Sequence, residues 1–400
     1  MKENLLTNLI IYRNLYYDEI INKYTNLYSK FLNNQTQDDY SKDYYDLCSY
    51  LIYNGYNSAN DYISRKIILD ENIFSLSCEK GIKINDMVRK ATLHDISILK
   101  KLSELSSSLK GISGSASDVN NFINYNNTES LTDIFNNNRA EDIYKYLNNE
   151  YTVNGCGEYR NNYAFSINEE GYLTPVYDFN PVVMENIFGY ERQKSKVIEN
   201  TQKFISGRNA LNTLLVGDSG TGKSTTVKAL IPMFKNKKLR LIEVEKEKLN
   251  YIPKIVENLK NRGIYFIIFI DDLSFETNED SYKYLKSVVE GSIYEQPNNI
   301  LFYVTSNRKQ LIKENLVERQ NEVHVRDAIN EQTSLSDRFG LTILYDEANQ
   351  DEYFNIVLGL ANEYGLEYDN EFLLAEAKKF AYQNGGRTGR TAIQFIKTFN

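Results

Sequence analysis

Apolar residues in the first 150 positions recur at helical spacing. Leu5, Leu6, Ile10, Leu15 and Ile20 fall near that period, and Ile98, Leu102, Leu105 and Leu109 follow it at steps of four, three and four. Gly and Pro are scarce there except in Gly111–Ser117, which reads as a linker. Two short runs, 163–168 and 172–177, flank Glu169, Glu170 and Gly171 and predict a β-hairpin. After Pro181 the pattern changes. Apolar runs at Thr213–Gly217, Arg240–Glu245, Tyr265–Asp271, Ile300–Ser306 and Leu341–Tyr345 alternate with amphipathic stretches, which predicts a five-stranded parallel α/β sheet. Three helical stretches follow, at Asp351–Tyr364, Asn370–Tyr382 and Thr388–Phe399. The expected organisation is an N-terminal α-helical domain (1–150), a β-containing connector (151–182), an α/β core (183–346) and a helical C-terminal segment (347–400).

Composition narrows the classes. The 400 residues carry 46 Lys and Arg against 54 Asp and Glu, a net charge of −8 that argues against a general nucleic-acid coat. Tyr reaches 32 while Trp is absent, a bias that AT-rich codon usage explains. Cys48, Cys78, Cys156, His94 and His324 lie too far apart for zinc spacing or a disulfide framework. Cys156, between two glycines, reads as a turn residue rather than a nucleophile. The apolar stretch Leu5–Tyr12 is interrupted by Thr7 and Asn8 and runs into Arg13, and no run reaches the ~18 apolar residues of a membrane span. A cytoplasmic, membrane-free protein is expected.

Candidate chemistry begins at Gly217, Asp218, Ser219, Gly220, Thr221, Gly222, Lys223 and Ser224, which match GxxxxGK[ST] and continue into Thr225. The loop follows one apolar run and opens an amphipathic stretch, so consecutive backbone N–H groups and a positive helix end face whatever it holds. Lys223 can reach β- and γ-phosphates, and the Ser224 hydroxyl can ligand Mg²⁺. The apolar run 265–270 ends in Asp271 and Asp272, carboxylates at the ligand edge of a parallel sheet. Asp271 is the expected Mg²⁺-side carboxylate and Asp272 the group that activates water.

At this point the chain resembles the AAA+ branch of P-loop ATPases. Ile300–Asn307 looks like the sensor-1 strand, which in that family lies between the phosphate-loop strand and the acidic strand, and the resemblance implies that Asn307 helps hold the attacking water. Ser334–Gly340 looks like the arginine-finger segment, implying that Arg338 acts on a neighbouring subunit's γ-phosphate in a homo-oligomer. Gly386–Ala392 resembles sensor 2, with Arg390 preferred over Arg387, which makes 347–400 a helical lid. Ile187, Phe188 and Gly189 resemble the segment that packs on adenine. More narrowly, Asp271–Glu276 and Ser334–Gly340 are similar to a bacterial family of AAA+-type ATP-binding proteins of unknown function, from about residue 150 to the end.

The resemblance implies an enzyme that binds ATP and Mg²⁺, hydrolyses ATP, and remodels a protein or nucleic-acid partner through its N-terminal domain. One departure matters. The family usually carries Asp-Glu where this chain has Asp271-Asp272, and the shorter side chain falls short of a water poised for Glu by about 1.5 Å. Slow hydrolysis follows unless Glu276 substitutes. The alternative is a nucleotide-binding switch with little turnover; a small-molecule kinase fits less well. The charged stretch 308–331, with His324, reads as a surface helix or a substrate-touching element.

Overall fold

The computed structural model describes residues 5–32, 37–56, 58–108, 134–135, 137–275, 282–289, 297–307 and 338–399. Gly111–Ser117, Glu276, the stretch 308–331 and Ser334–Asp337 therefore lie outside the described residues. Two compact units divide the chain, Met1–Arg160 and Asn161–Asn400.

The first unit is helical, with α1 (Glu19–Leu32), α2 (Gln37–Tyr53), α3 (Ala59–Leu69), α4 (Ile73–Glu79), α5 (Asp86–Ser108) and α6 (Ala140–Asn154). The periodic positions Leu6, Leu15, Ile98 and Leu102 are buried in its core, whereas Ile10 is exposed. Asp95, fully buried on α5, organises the start of this unit. Its carboxylate accepts the backbone N–H groups of Ile10, Ile11 and Tyr12 at 2.6–3.0 Å. The Tyr12 hydroxyl is 3.2 Å from that of Tyr151, which donates to the Ile67 carbonyl at 2.6 Å.

Replacing Asp95 by leucine would leave three N–H groups without their acceptor. Hydrogen bonds to a charged group contribute about 1.5–3 kcal/mol each, and orphaned buried donors add their own cost. Asp95→Leu is expected to lose at least about 3 kcal/mol in denaturant unfolding of the full chain. An unchanged midpoint would show that the clamp carries no stability.

Cys156 lies in a turn between Gly155 and Gly157, both at positive φ, and its N–H donates to buried Glu79 at 3.0 Å. All three cysteines are buried and none forms a disulfide. Among the described residues no helix is long and apolar enough to cross a membrane.

The second unit is built on a sheet of β1 (Ala164–Ile167), β2 (Leu173–Pro175), β3 (Thr213–Gly217), β4 (Leu239–Glu243), β5 (Tyr265–Ile270), β6 (Ile300–Ser306) and β7 (Leu341–Tyr345), in the order β2-β1-β4-β5-β6-β3-β7. The expected count of five strands is corrected to seven. The hairpin forms, but β1 also pairs in parallel with β4 and extends the sheet, Ala164 opposite Leu241 and Phe165 opposite Ile242. Among the described strand pairs only β1–β2 is antiparallel. The central strands are buried on both faces; Phe266–Ile270 and all of β6 are inaccessible, as continuous apolar sequence requires. β6 lies between β3 and β5, the position that the AAA+ resemblance gives its sensor-1 strand.

Helices α7 (Glu191–Ile205), α8 (Lys223–Phe234), α9 (Ile252–Leu259) and α10 (Tyr282–Val289) accompany the strands. Three more close the unit: α11 (Gln350–Glu363), α12 (Asn370–Gln383) and α13 (Gly389–Ile396). Each starts on a side-chain cap. Asn349 and Glu352 form a reciprocal capping box on α11, Asp369 caps α12, and Thr388 caps α13. Their inner faces, including Tyr353, Ile356, Val357, Leu373, Ala377, Phe395 and Ile396, are buried in the same core as β3 and β6.

Candidate functional site

At the carboxyl end of β3 the chain turns through Gly217, with φ +143°, and pairs with Tyr345 on β7. A Cβ at this position would come within 1.9 Å of the Tyr345 carbonyl oxygen, so only glycine fits. The loop then runs into α8, and Lys223 becomes its first helical residue. The Lys223 ammonium donates to the carbonyls of Gly217 and Asp218, both at 2.8 Å, and to Asn307 Oδ1 at 3.1 Å. All three of its protons are used. Burial holds its pKa below the ordinary 10.5, an effect partly offset by the carboxylates of Asp272, Asp218 and Asp271.

Asp271 and Asp272 follow β5 at the same edge of the sheet. Asp271 Oδ1 accepts the Ser224 hydroxyl and the Thr305 hydroxyl, each at 2.5 Å, and the Asp272 N–H at 3.1 Å. Asp272 adopts φ +48°, the left-handed region, which Asp tolerates better than most residues. Its carboxylate accepts from Asn307 Nδ2 at 2.6 Å. Asn307 therefore bridges the Lys223 cation and the Asp272 carboxylate. Among the described residues no group of three or more His, Cys, Asp or Glu could hold a metal. A cation between Ser224 and Asp271 would have one hydroxyl, one carboxylate and ligand oxygens, a hard donor set that suits Mg²⁺.

These groups line a cleft of about 780 Å³. The cleft is also lined by the apolar Ile187, Phe188, Ile356, Leu360 and Ile393 and by Tyr190 and Tyr364, together with Asn186, Glu363, Gln394 and Lys397. The Phe188 ring lies so close to α11 that a Cβ on Gly359 would stand 2.3 Å from it, and a Cβ on Gly189 would meet Ile356 at 2.8 Å. Arg390 also lines the cleft. Its guanidinium donates to Ser219 Oγ at 3.2 Å, and its N–H donates to the Gly220 carbonyl at 3.1 Å. Arg387 instead engages Glu347, its N–H at 2.7 Å from Oε1, and does not line the cleft.

The structure thus brings together Ile187, Phe188, most of the Gly217–Thr225 loop, Asp271, Asp272, Asn307 and Arg390. Gly217, Asp218 and Gly189 adjoin the cleft without lining it. Arg338 is not among them. It is exposed and precedes Leu341, whose partner Thr213 starts β3, whereas the Gly217–Ser224 loop begins at that strand's far end. On the order of 13 Å of strand separates the two edges.

Sequence reasoning missed Thr305, Tyr190, the α11 residues Ile356 and Leu360, and Lys397. Thr305 was within reach: it stands two positions before Asn307, so strand alternation aims both at the same side. The α11 residues look like any core-facing stripe until the fold turns them toward the cleft.

A family described as a protein of unknown function (DUF815) matches residues 159–400. No curated protein matches the chain. Among solved structures, a mutant of RuvB from Thermotoga maritima aligns at 19% identity and a TM-score of 0.39, over 55% of this chain and 64% of that one. The Thermotoga maritima RuvB Holliday junction branch migration motor aligns at 16% identity and a TM-score of 0.34, over 56% and 73%. The chain thus spans just under two thirds of the length of the first of these proteins.

Proposed function

Because this chain belongs to the DUF815 family, whose description assigns no chemistry, we propose from the cleft itself that it is an Mg²⁺-dependent ATPase of the AAA+ type. The reading rests above all on one observation: Lys223, Ser224, Asp271, Asp272 and Asn307 converge at the carboxyl ends of three adjacent parallel strands, in a cleft of about 780 Å³ that Ile187, Phe188, Ile356 and Leu360 also line. In this reading the loop amides from Ser219 to Thr225 and Lys223 bind phosphates, and Ile187, Phe188 and Gly189 form the adenine side. Ser224 and Asp271 hold Mg²⁺, which when bound neutralises charge on the β- and γ-phosphates. Asp272 and Asn307 orient water, and Arg390 ties the helical lid to the nucleotide.

Arg338 acts in trans, because its own cleft opens at the other edge of the sheet. A finger supplied by a neighbour requires a head-to-tail homo-oligomer, a ring or a filament. Turnover would then move the lid against the core and act on a protein or nucleic-acid partner held by the N-terminal helices. Steady-state ATP hydrolysis against protein concentration tests the reading. Specific activity that climbs with concentration supports it, and ATP binding with no turnover at any concentration defeats it.

That second outcome belongs to a nucleotide-binding switch. The observation favouring this alternative is the short Asp272 side chain, already held by Asn307 at 2.6 Å.

Lys223 also sets a pH dependence. Burial lowers its pKa in the free protein, whereas a bound polyphosphate raises it, so binding takes up a proton between the two values. Nucleotide affinity is therefore expected to fall as pH rises toward the ordinary lysine value of 10.5. Lys223→Arg, which keeps its charge, should flatten that dependence. Equal slopes for both proteins in calorimetric titrations would contradict the assignment.

A further inference from the structure

Among the described residues, Thr305 is the one side chain hydrogen-bonded to both consecutive acids. The residue is almost fully buried, 1% exposed, near the end of β6. Oγ1 accepts the Asp272 N–H at 2.9 Å, and Oγ1 stands 2.5 Å from Asp271 Oδ1. These two contacts fix the hydroxyl's orientation. The acceptor role is taken by a backbone donor that cannot be reversed, so the single hydroxyl proton points at the carboxylate. Ser224 also donates to Asp271 Oδ1, at 2.5 Å. Among the described residues every hydrogen bond to the Asp271 side chain falls on Oδ1, which leaves Oδ2 for a cation or its waters.

The same hydroxyl holds the backbone of Asp272. That residue sits at φ +48°, a conformation disfavoured for a residue with a Cβ, which persists where neighbours enforce it. The neighbours are two acceptors for its N–H, Thr305 Oγ1 and Asp271 Oδ1, together with the Leu273 N–H bond to the Thr305 carbonyl at 2.8 Å. In this conformation the Asp272 carboxylate meets Asn307.

We propose that Thr305 is a positioning residue for the ATPase, fixing through one hydroxyl the rotamer of the Mg²⁺-side Asp271 and the backbone of the water-side Asp272. Both hydrogen-bonding roles of its hydroxyl are taken by the two acids, so nucleotide contacts fall to Lys223, the loop and the apolar lining. Its loss therefore weakens Mg²⁺ coupling and turnover and leaves nucleotide recognition by Lys223 and the apolar lining as it was. The inference rests on the ATPase reading, and its test separates the two.

Thr305→Val keeps the shape and removes the hydroxyl, and Thr305→Ser keeps the hydroxyl and removes the methyl. Thr305→Ala serves if the valine protein does not fold. Binding of a fluorescent ATP analogue is titrated with MgCl₂, with the EDTA-bound affinity as baseline, and kcat and KM are measured in parallel. Loss of a partner behind a metal ligand typically costs 10- to 100-fold in metal affinity or activity, so Thr305→Val is expected to need about 10-fold more Mg²⁺ and to lose about 10- to 100-fold in kcat. Its KM for ATP and its EDTA-bound affinity should stay near wild type, and Thr305→Ser should recover most of the loss.

A wild-type protein whose analogue binding ignores Mg²⁺ and which turns nothing over defeats the ATPase reading itself. A Mg²⁺-responsive wild type with an equally responsive Thr305→Val defeats only the inference. So does a serine variant as impaired as the valine one, because the methyl packing would then be what matters.

Discussion

Replacing Arg338 by alanine is expected to lower ATP turnover by about 10³-fold or more while leaving ATP affinity within a few-fold of wild type. An arginine delivered to the γ-phosphate neutralises charge that develops only as the phosphoryl group transfers, so its contribution appears in kcat and not in ground-state binding. A 10³-fold loss corresponds to about 4 kcal/mol of barrier. The position of Arg338 gives the prediction its specificity. It is exposed, it does not line its own cleft, and it precedes the amino end of β7 while the phosphate loop lies at the carboxyl end of β3. Exposed surface substitutions ordinarily change stability by no more than about 0.5 kcal/mol, so unfolding would not explain such a loss. Steady-state hydrolysis and an equilibrium binding titration on the same preparation check it, and Arg338→Ala with near wild-type kcat would remove the finger assignment.

Lys223→Ala is expected to fail at an earlier step. The ammonium lies against the loop, and its three donors now rest on Gly217, Asp218 and Asn307. Charge-assisted hydrogen bonds to phosphate are worth about 1.5–3 kcal/mol each, so removing the side chain should weaken ATP binding by about 100-fold and abolish measurable turnover. Stability distinguishes this from damage to the fold. The acceptors it leaves on Gly217, Asp218 and Asn307 are not buried and can turn to water, so the nucleotide-free variant should melt within a few degrees of wild type. An undiminished ATP affinity would place the nucleotide elsewhere. A large drop in melting temperature would mean that the lysine holds the loop together.

The parallel strands were legible because burial on both faces demands continuous apolar sequence, and 213–217, 265–270 and 300–306 have it. The hairpin was legible too, from its turn at Gly171. Its pairing with β4 was not: Ala164 and Leu241 are 77 positions apart, and nothing in a four-residue strand names its partner. Hence five strands were expected where seven form one sheet. In the cleft, the loop spacing and the acids that end β5 singled out Lys223, Ser224 and Asp271 from residue types, whereas Asn307 came only with the AAA+ resemblance. The apolar lining has no such code. Ile356 and Leu360 obey the helical period of any buried stripe, and only the packing of α11 against Phe188 shows that they also line the cleft. The Asp95 clamp was invisible for a related reason. A side chain that binds backbone N–H groups 83 to 85 positions away leaves no pattern in either segment.

The central claim is that each cleft is completed by an arginine from a neighbouring copy, and mixing two inactive variants tests it most directly. Lys223→Ala supplies Arg338 but cannot use nucleotide; Arg338→Ala binds nucleotide but offers no finger. Combined, they form interfaces in which an intact Lys223 cleft meets an intact Arg338. The account predicts that ATP hydrolysis, near zero for either variant alone, returns on mixing, rises with total protein concentration, and peaks at an intermediate ratio. Hydrolysis that stays at the level of the separate variants at every ratio, although both variants bind wild-type protein, would contradict it.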